Sequence, residues 1–272
     1  MQCILTALKA ESQPLIDHFN LKREPLFDFP VFKNKDIYLL GIGIGSAKIR
    51  NRILFFLEQL HPKFIQFINI GIAGGNPLTT KIGTGYVIQK ITDKQTGKSF
   101  YPEMIIKHKF QESPIVTVNE PVTKDGNEYS TLVDMEASEI FNVLASILPI
   151  QRISFIKIVS DYMDLAENRI TDQTISKLIK SRMNLIEHFI LEFKRLAASE
   201  KLILNEKDMV WIQSIREKFG FTESQFRKLL NYCKGFRLRN QHSNFPLIQL
   251  KKSMSKIERN QLFEFICEQL ST

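Results

Sequence analysis

KFIQFINIGIAGG, residues 63–75, is the stretch that decides the fold, because a run rich in Ile and Phe ends in glycines. Short apolar runs of β-branched and aromatic residues predict buried strands, and glycine predicts a turn where a strand ends. DIYLLGIGIG, residues 36–45, has the same pattern upstream, and QCILTAL, residues 2–8, is another apolar run. We therefore expect three strands in this part of the chain.

Amphipathic helices are predicted between these strands. KAESQPLIDHF, residues 9–19, and SAKIRNRILFFLEQL, residues 46–60, each place apolar residues at helical spacing. The alternation continues downstream, with strands predicted at 84–91, 115–118 and 152–160, a helix at 134–147 and one long helix at 170–198. Strands that alternate with helices predict an α/β layered domain, in which ligands bind at the carboxyl ends of the strands.

The pattern changes after Ala198. Three helical stretches follow, with Thr222 and Gln225 fitting a capping box and Gly220 a helix stop. Residues 201–272 hold 13 Lys and Arg against 7 Asp and Glu, so most of the formal net charge of +8 lies here. We predict an α/β domain over residues 1–198 and a small basic all-α C-terminal domain over residues 205–272.

Composition narrows the class of protein. Of the 272 residues, 43% are hydrophobic and 24% charged, as in ordinary globular chains. No apolar run reaches the roughly 18 residues that a membrane span needs. Cys3, Cys233 and Cys267 are too scattered for a disulfide framework or a zinc site. We expect a cytoplasmic protein with no membrane contact, no metal and no cofactor.

Three acidic residues stand out near predicted strand ends or in apolar surroundings. Glu11 follows the first strand, Asp161 follows the strand that ends at residue 160, and Glu136 lies beside Met135 in LVDMEASEIFNVL, residues 132–144. Each has an ordinary structural explanation as a helix-start acid or a loop cap. A charged side chain among core residues, however, needs a polar partner, and that partner could be a ligand.

Short stretches spread over residues 1–198 resemble the nucleoside phosphorylase superfamily, and most closely its hydrolytic branch, the methylthioadenosine/S-adenosylhomocysteine nucleosidases. They are ALKAE at 7–11, GIGIG at 41–45, NIGIAGG at 69–75, KIGTGYVI at 81–88, VDMEA at 133–137 and IVSD at 158–161. The resemblance implies a three-layer α/β/α fold around a mixed sheet. It also implies cleavage of the N-glycosidic bond between a purine and a ribose.

The resemblance assigns roles to the acids. Glu11 corresponds to the catalytic residue that orients and deprotonates the attacking water, and Asp161 to the one that protonates purine N7. Glu136 corresponds to the acid that binds the ribose hydroxyls, while Met135 packs on the sugar. Further substrate contacts are expected from Ser160, Gly74, Ile44 and Val122. We expect Asp161 to be protonated and Glu11 ionised near neutral pH, because a purine leaves poorly as an anion.

The nucleophile position departs from the family pattern. Ile72 stands where the nucleosidases usually have serine, and Asn69 where the phosphorylases have arginine. A phosphate dianion needs cationic or multiple N–H donors, so water is the expected nucleophile. Lys157 stands where the nucleosidases commonly have arginine, and it keeps the charge without the planar fork.

The base position departs as well. Pro121 replaces the aromatic residue that often stacks on the purine, and Phe100 or Tyr101 could supply the ring instead. The leading hypothesis is a hydrolase that acts on an adenosine-type nucleoside. The alternatives are a non-hydrolytic nucleoside-binding or regulatory protein and, third, a purine nucleoside phosphorylase. A homo-oligomer, most simply a dimer, is expected from the resemblance.

Basic and aromatic residues alternate in the C-terminal region, so contact with nucleic acid is an alternative to a plain helical core with solvated lysines. The basic residues are Arg227, Lys228, Lys234, Arg237, Arg239, His242, Lys251 and Lys252; the aromatic ones are Phe226, Tyr232, Phe236 and Phe245. The helical core is the stronger interpretation, because aromatics at helical spacing usually pack together.

Overall fold

The computed structural model describes residues 1–60, 65–124, 126–164, 170–199, 203–240, 243–246, 248 and 255–271. The chain divides into two compact units, Met1–Ser199 and Glu200–Thr272. Of the residues predicted to be basic contacts, His242, Lys251 and Lys252 lie outside the described ranges.

One mixed sheet organises the first unit. Its strands are β1 (Gln2–Thr6), β2 (Lys22–Arg23), β3 (Val31–Asn34), β4 (Ile37–Gly41), β5 (Gln66–Gly74), β6 (Gly85–Asp93), β7 (Ser99–Phe100), β8 (Gln111–Thr117), β9 (Leu132–Asp134) and β10 (Ile153–Asp161). Its helices are α1 (Lys9–His18), α2 (Ser46–Leu60), α3 (Ala137–Ala145), α4 (Asp172–Ser181) and α5 (Met183–Ser199). The strands predicted from the apolar runs are therefore confirmed.

β5 is the central strand. It pairs in parallel with β1 on one side and with β10 on the other, and β4, β3 and β2 continue outward from β1. β6 pairs with β10 and with β8, and β9 connects β8 back to the end of β5. The strands β5, β10, β6, β8 and β9 consequently form a closed ring beside an open sheet.

Successive residues of the strands face two separate apolar layers. On β5, Phe67 and Ala73 belong to the layer that α2 and α3 cover, whereas Ile68 and Ile70 belong to the layer that contains residues of α4 and α5. This alternation follows from the two-residue period of a strand. It confirms the three-layer α/β/α arrangement expected for the first unit.

Two helix predictions are corrected. The helix predicted from Asp134 begins only at Ala137, because Asp134 ends β9 and its carboxylate accepts the N–H of Ala137 at 3.0 Å. The single helix predicted over residues 170–198 is two helices. Arg182 leaves helical geometry at φ −107° and ψ 6°, and its side-chain Nε donates to the carbonyl of Gly83 at 2.6 Å.

The second unit is helical in its described part, with α6 (Glu206–Phe219), α7 (Glu223–Arg239) and α8 (Lys256–Ser271) around one apolar core. Thr222 and Gln225 form the predicted capping box, and Gly220 ends α6 in the left-handed region at φ 60°. None of the helices described in either unit is long and apolar enough to cross a membrane.

Candidate active site

A cavity of about 160 Å³ lies in the first unit, where β1, β5, β9 and β10 end. Its polar side chains are Glu11, Asp134, Glu136, Ser160 and Asp161, and its apolar side chains include Leu8, Ile44, Val118, Pro121, Val122, Met135 and Met163. Four of the residues that line it are acidic and none is basic, within the part of the chain described. The cavity therefore favours neutral or cationic ligands over anions.

Glu11 is held by backbone N–H groups. It lies in the first turn of α1 and is only 3% exposed. Its Oε2 accepts the N–H groups of Ala7 and Leu8 at 2.8 and 2.9 Å, and its Oε1 accepts that of Ile72 at 2.9 Å. Burial raises the pKa of Glu11, while Lys157 and these three bonds act to lower it. Oε1 accepts one N–H here, which leaves room for a second donor such as water.

Gly71 makes this position of Glu11 sterically allowed. A Cβ at residue 71 would lie 2.8 Å from Glu11 Oε1 and 3.3 Å from its Cδ. Real Cβ atoms essentially never come as close as 2.8 Å to a neighbouring atom. The glycine in NIGIAGG thus serves a close approach between a strand and a carboxylate.

Lys157 is a fully buried cation behind the acids. Its side chain is 1% exposed, and its Nζ lies 2.8 Å from Asp134 Oδ2 and 3.9 Å from Glu136 Oε2. Asp134 also accepts the hydroxyl of Thr117 at 2.7 Å. Burial by itself would lower the pKa of Lys157, but Asp134 and Glu136 raise it overall. The ammonium group therefore stays charged and compensates the carboxylates around it.

Glu136 is the residue just before α3, with its carboxyl group facing the cavity. The pKa of Glu136 is raised to about 7, chiefly by burial. Lys157 acts to lower this pKa, and the charges of Asp134 and Glu11 act to raise it. At neutral pH the group is therefore divided between carboxyl and carboxylate. It can accept a hydrogen bond from a ligand hydroxyl in the second form.

Asp161 is the last residue of β10 and also lines the cavity. Its Oδ2 accepts the hydroxyl of Ser160, and its Oδ1 accepts the N–H of Met163 at 2.8 Å. Met163 has a positive φ of 61°, which is uncommon for a residue other than glycine. Its side chain lies against Gly74, where a Cβ would come within 2.5 Å of Met163 Cγ. Local strain of this kind is often found at functional sites.

Eight of the ten predicted site residues line the cavity: Glu11, Asp161, Met135, Glu136, Ser160, Gly74, Ile44 and Val122. Phe100 and Tyr101 do not line it, and this part of the expected site is corrected. Phe100 pairs with Ile91 in the sheet and packs on Phe141 at 5.2 Å between ring centroids. Tyr101 is 61% exposed. The apolar wall is instead formed by Val118, Val122, Met135 and Met163.

Sequence reasoning missed several residues of this site. The sequence patterns place Asp134 at a helix start and mark Lys157 only as a replacement for arginine, and they do not single out Gly71 or Met163. A lysine inside an otherwise apolar strand was the available signal, because it requires buried acidic partners. Ile72, at the position where the resemblance leads one to expect serine, also lines the cavity. Its side chain packs with the α4/α5 layer, while its N–H holds Glu11.

No protein-family model matches the chain, and no curated protein sequence matches it either. Solved structures do. The methylthioadenosine/S-adenosylhomocysteine nucleosidase of S. pneumoniae, bound to a transition-state inhibitor, has a TM-score of 0.59 at 15% identity and covers 71% of this chain and 99% of its own.

Two further structures show the same fold. The Arabidopsis thaliana methylthioadenosine nucleosidase has a TM-score of 0.55 at 17% identity, covering 74% of this chain and 97% of its own. The futalosine hydrolase of Helicobacter pylori has a TM-score of 0.57 at 18% identity, covering 70% and 97%. The chain thus has the nucleoside phosphorylase/nucleosidase fold.

Proposed function

We propose that the first unit hydrolyses the N-glycosidic bond of an adenosine-type purine nucleoside, of the methylthioadenosine or S-adenosylhomocysteine kind, with water as the nucleophile. The observation that carries the proposal is that Glu11, Glu136 and Asp161, which are far apart in sequence, line one cavity. A fold shared with nucleosidases supports the same class of reaction.

In the proposed reaction, the bond between ribose C1′ and purine N9 breaks, and its electron pair goes to the purine. Asp161 in its protonated form gives its proton to N7, so the base leaves neutral. A water molecule held by Glu11 Oε1 forms the new C1′–O bond and gives its proton to Glu11. Proton exchange with solvent then restores both groups. The carboxylates stabilise the positive charge that develops on the ribosyl group.

Glu136 and Met135 would position the sugar. As a carboxylate, Glu136 accepts hydrogen bonds from the ribose 2′ and 3′ hydroxyl groups, and Met135 packs on the sugar face. The apolar wall that includes Val118, Val122 and Met163 would contact the purine. Ligand hydroxyls would then supply the polar partners that a buried glutamate requires.

The charges that line the cavity support water rather than phosphate as the nucleophile. A phosphate dianion is normally bound by cationic side chains or several N–H donors. The described residues that line the cavity provide four acids and no cation. Lys157, the nearest buried cation described, is paired with Asp134.

Purine release tests the proposal. The protein is incubated with methylthioadenosine, S-adenosylhomocysteine, adenosine and inosine, each with and without phosphate. Free base without phosphate is expected, with loss of roughly 10²–10⁴-fold in rate for Asp161→Asn and Glu11→Gln. Glu139→Gln, which changes an acid on α3 that pairs with Arg50, is the matched control and should keep the activity. Binding without release would indicate a nucleoside-binding protein instead, and phosphate-dependent release a phosphorylase.

We further propose that the protein acts as a dimer in the cytoplasm. The family resemblance supports the dimer. The buried free thiols of Cys3, Cys233 and Cys267 are compatible with a reducing compartment. Sedimentation velocity should give a species of twice the 31.6 kDa chain mass. A monomer that is fully active would remove the dimer from the proposal and leave the reaction intact.

A further inference from the structure

Helix α7 has one buried and one exposed face. Leu229, Cys233 and Phe236 are spaced by four and three residues and enter the core of the second unit. The opposite face holds Ser224, Arg227, Asn231, Lys234 and Leu238, all exposed. Because α7 spans 17 residues, this face is about 25 Å long. It is a surface of almost five helical turns that is polar except for Leu238.

Positive charge is concentrated on that face. α7 contains five Lys and Arg and only one acid, Glu223. Arg227, Lys228, Lys234 and Arg239 all project from the exposed side, and the side chain of Arg227 is 71% exposed. Arg227 and Lys228 have surface acids nearby, at 3.4 Å from Glu223 and 3.2 Å from Glu264. Such exposed pairs contribute little and exchange readily for other anions.

The residues that were expected to act together separate into two groups. Arg237 is a core residue, because it pairs with the buried Asp208 and lies 4.9 Å above the ring of Phe245. Phe236 and Phe245 are buried in the same core. The aromatic rings are therefore used for packing. They do not form the stacking platform typical of single-strand binding proteins.

Gly235 lies beside the basic face and borders a groove of about 280 Å³, which is lined by Asn231, Tyr232, Arg239 and Ser271. A glycine inside a helix costs about 1 kcal/mol relative to alanine. Among the described residues, only Arg239 Nη1 lies within 4 Å of the position of a Cβ, at 3.4 Å. Packing within the described part of the unit does not require a glycine at position 235. Close approach of another molecule to this part of the helix would require one.

We propose that the exposed face of α7 binds double-stranded DNA, with the helix lying in the major groove. An α-helix of about 10–12 Å diameter fits a groove about 12 Å wide. Ser224, Arg227 and Asn231 are residue types that bond base edges. Lys228, Lys234 and Arg239 lie along the same helix, where they can contact phosphates. Duplex RNA is disfavoured, because its major groove is too deep and narrow for side chains to read.

Fluorescence anisotropy of the full chain with a labelled DNA duplex of about 20 base pairs tests this inference. Three phosphate contacts predict a loss of affinity of roughly 40-fold between about 50 and 200 mM salt. Arg227→Ser with Lys234→Ser should weaken binding at least about tenfold and lower the slope of the salt dependence by about one ion, because only Lys234 of the two contacts a phosphate. The matched control, Lys207→Ser with Lys218→Ser on the exposed side of α6, removes the same charge and should leave binding nearly unchanged.

Gly235→Leu provides an uncharged test. Leucine is a better helix former than glycine, so the melting temperature should not fall. The side chain would fill the groove, and affinity for the duplex should fall about tenfold or more. Equal losses in the two double variants would overturn the inference, as would the absence of binding at low salt. Stronger binding to single strands or to vesicles of anionic lipid would also overturn it.

Discussion

At the scale of single residues, the acidic side of the cavity depends on one ammonium group. Lys157 is buried and pairs with Asp134 at 2.8 Å, while Glu136 lies 3.9 Å away. Removing one partner from a buried ion pair costs more than the pair contributes, because the remaining charge is left without compensation. The main role of Lys157 is thus to neutralise the buried carboxylates of Asp134 and Glu136, and contact with a ligand is secondary.

Lys157→Met is expected to lower the free energy of unfolding by about 3–5 kcal/mol, since Asp134 would remain buried without its cation. Chemical denaturation followed by circular dichroism measures the change. The double variant Lys157→Met with Asp134→Asn is the control, because the asparagine can still accept the N–H of Ala137 without a charge. It should be more stable than Lys157→Met alone. Equal stability of the two variants would contradict this account.

Glu136 predicts a dependence of stability on pH. Its pKa is about 7 in the folded protein, compared with an ordinary value of 4.5, chiefly because it is buried. The folded state keeps a proton that the unfolded chain has already lost. The resulting stabilisation is complete below the lower pKa and is lost as pH rises from about 4.5 to about 7. A difference of this size corresponds to roughly 3 kcal/mol.

Glu136→Gln removes this dependence. At about pH 4.5 the variant and the parent protein should unfold with similar free energies. Near pH 8 the variant should be the more stable of the two by up to about 3 kcal/mol. Denaturation curves at the two pH values measure the difference. A difference between the two proteins that does not change with pH would show that Glu136 titrates normally. Affinity for a nucleoside would be lost in the glutamine variant if the ribose contact is correct.

At the scale of elements, β5 and α1 meet through Gly71 and Glu11. Gly71→Ala places a Cβ 2.8 Å from Glu11 Oε1, so the carboxylate must move and its bond to the Ile72 N–H must weaken. We expect purine release to fall about 100-fold or more while the fold is kept. Gly97→Ala in the turn after β6 is the control, because nothing lies within 4 Å of its Cβ position. The control should lose about 1 kcal/mol through its positive φ and keep its activity.

The long apolar elements could be predicted from the sequence, whereas short ones could not. β1, β4, β5, β6 and β10 each follow from an apolar run, since their residues are mostly buried; of β8, only the last residues, 115–117, do so, because its first residues are exposed. β2 and β7 have two residues each, and their residues are placed by pairing with a neighbour. β9 is not predicted, and the predicted helix includes its last residue, Asp134, because three residues are too few to show a period of two.

The site was predictable where chemistry restricts the residue type. Acids at 11, 136 and 161 could be found because each occurs beside a predicted strand end or inside an apolar run. Phe100 lies outside the cavity because the hairpin of β6 and β7 places its ring against Phe141 of α3, and the sequence pattern does not show that contact between distant elements. The hydrogen bonds that backbone N–H groups donate to Glu11 could not be predicted from the sequence, because almost every residue type carries such a group.

At the scale of the whole molecule, the chain combines two compact units with different side-chain chemistry. The first presents an acidic cavity, and the second presents a basic helix face. The single tryptophan, Trp211, is partly buried against the core of the second unit, 4.7 Å from the ring of Phe245. Its fluorescence therefore reports on that unit, while purine release reports on the first. The two can be followed separately in the intact protein.

Asp208→Asn should destabilise the second unit selectively. Asp208 is 3% exposed, bonds both Nε and Nη2 of Arg237 and accepts the N–H of Asn205, so it connects the start of α6 to the end of α7. Loss of the charge leaves Arg237 poorly compensated and is expected to cost about 3–5 kcal/mol in the transition reported by Trp211. Glu264→Gln, which removes the exposed partner of Lys228, should cost less than about 1 kcal/mol. If Asp208→Asn lowered nucleoside binding as strongly as it lowers the Trp211 transition, the two units would have to unfold as one.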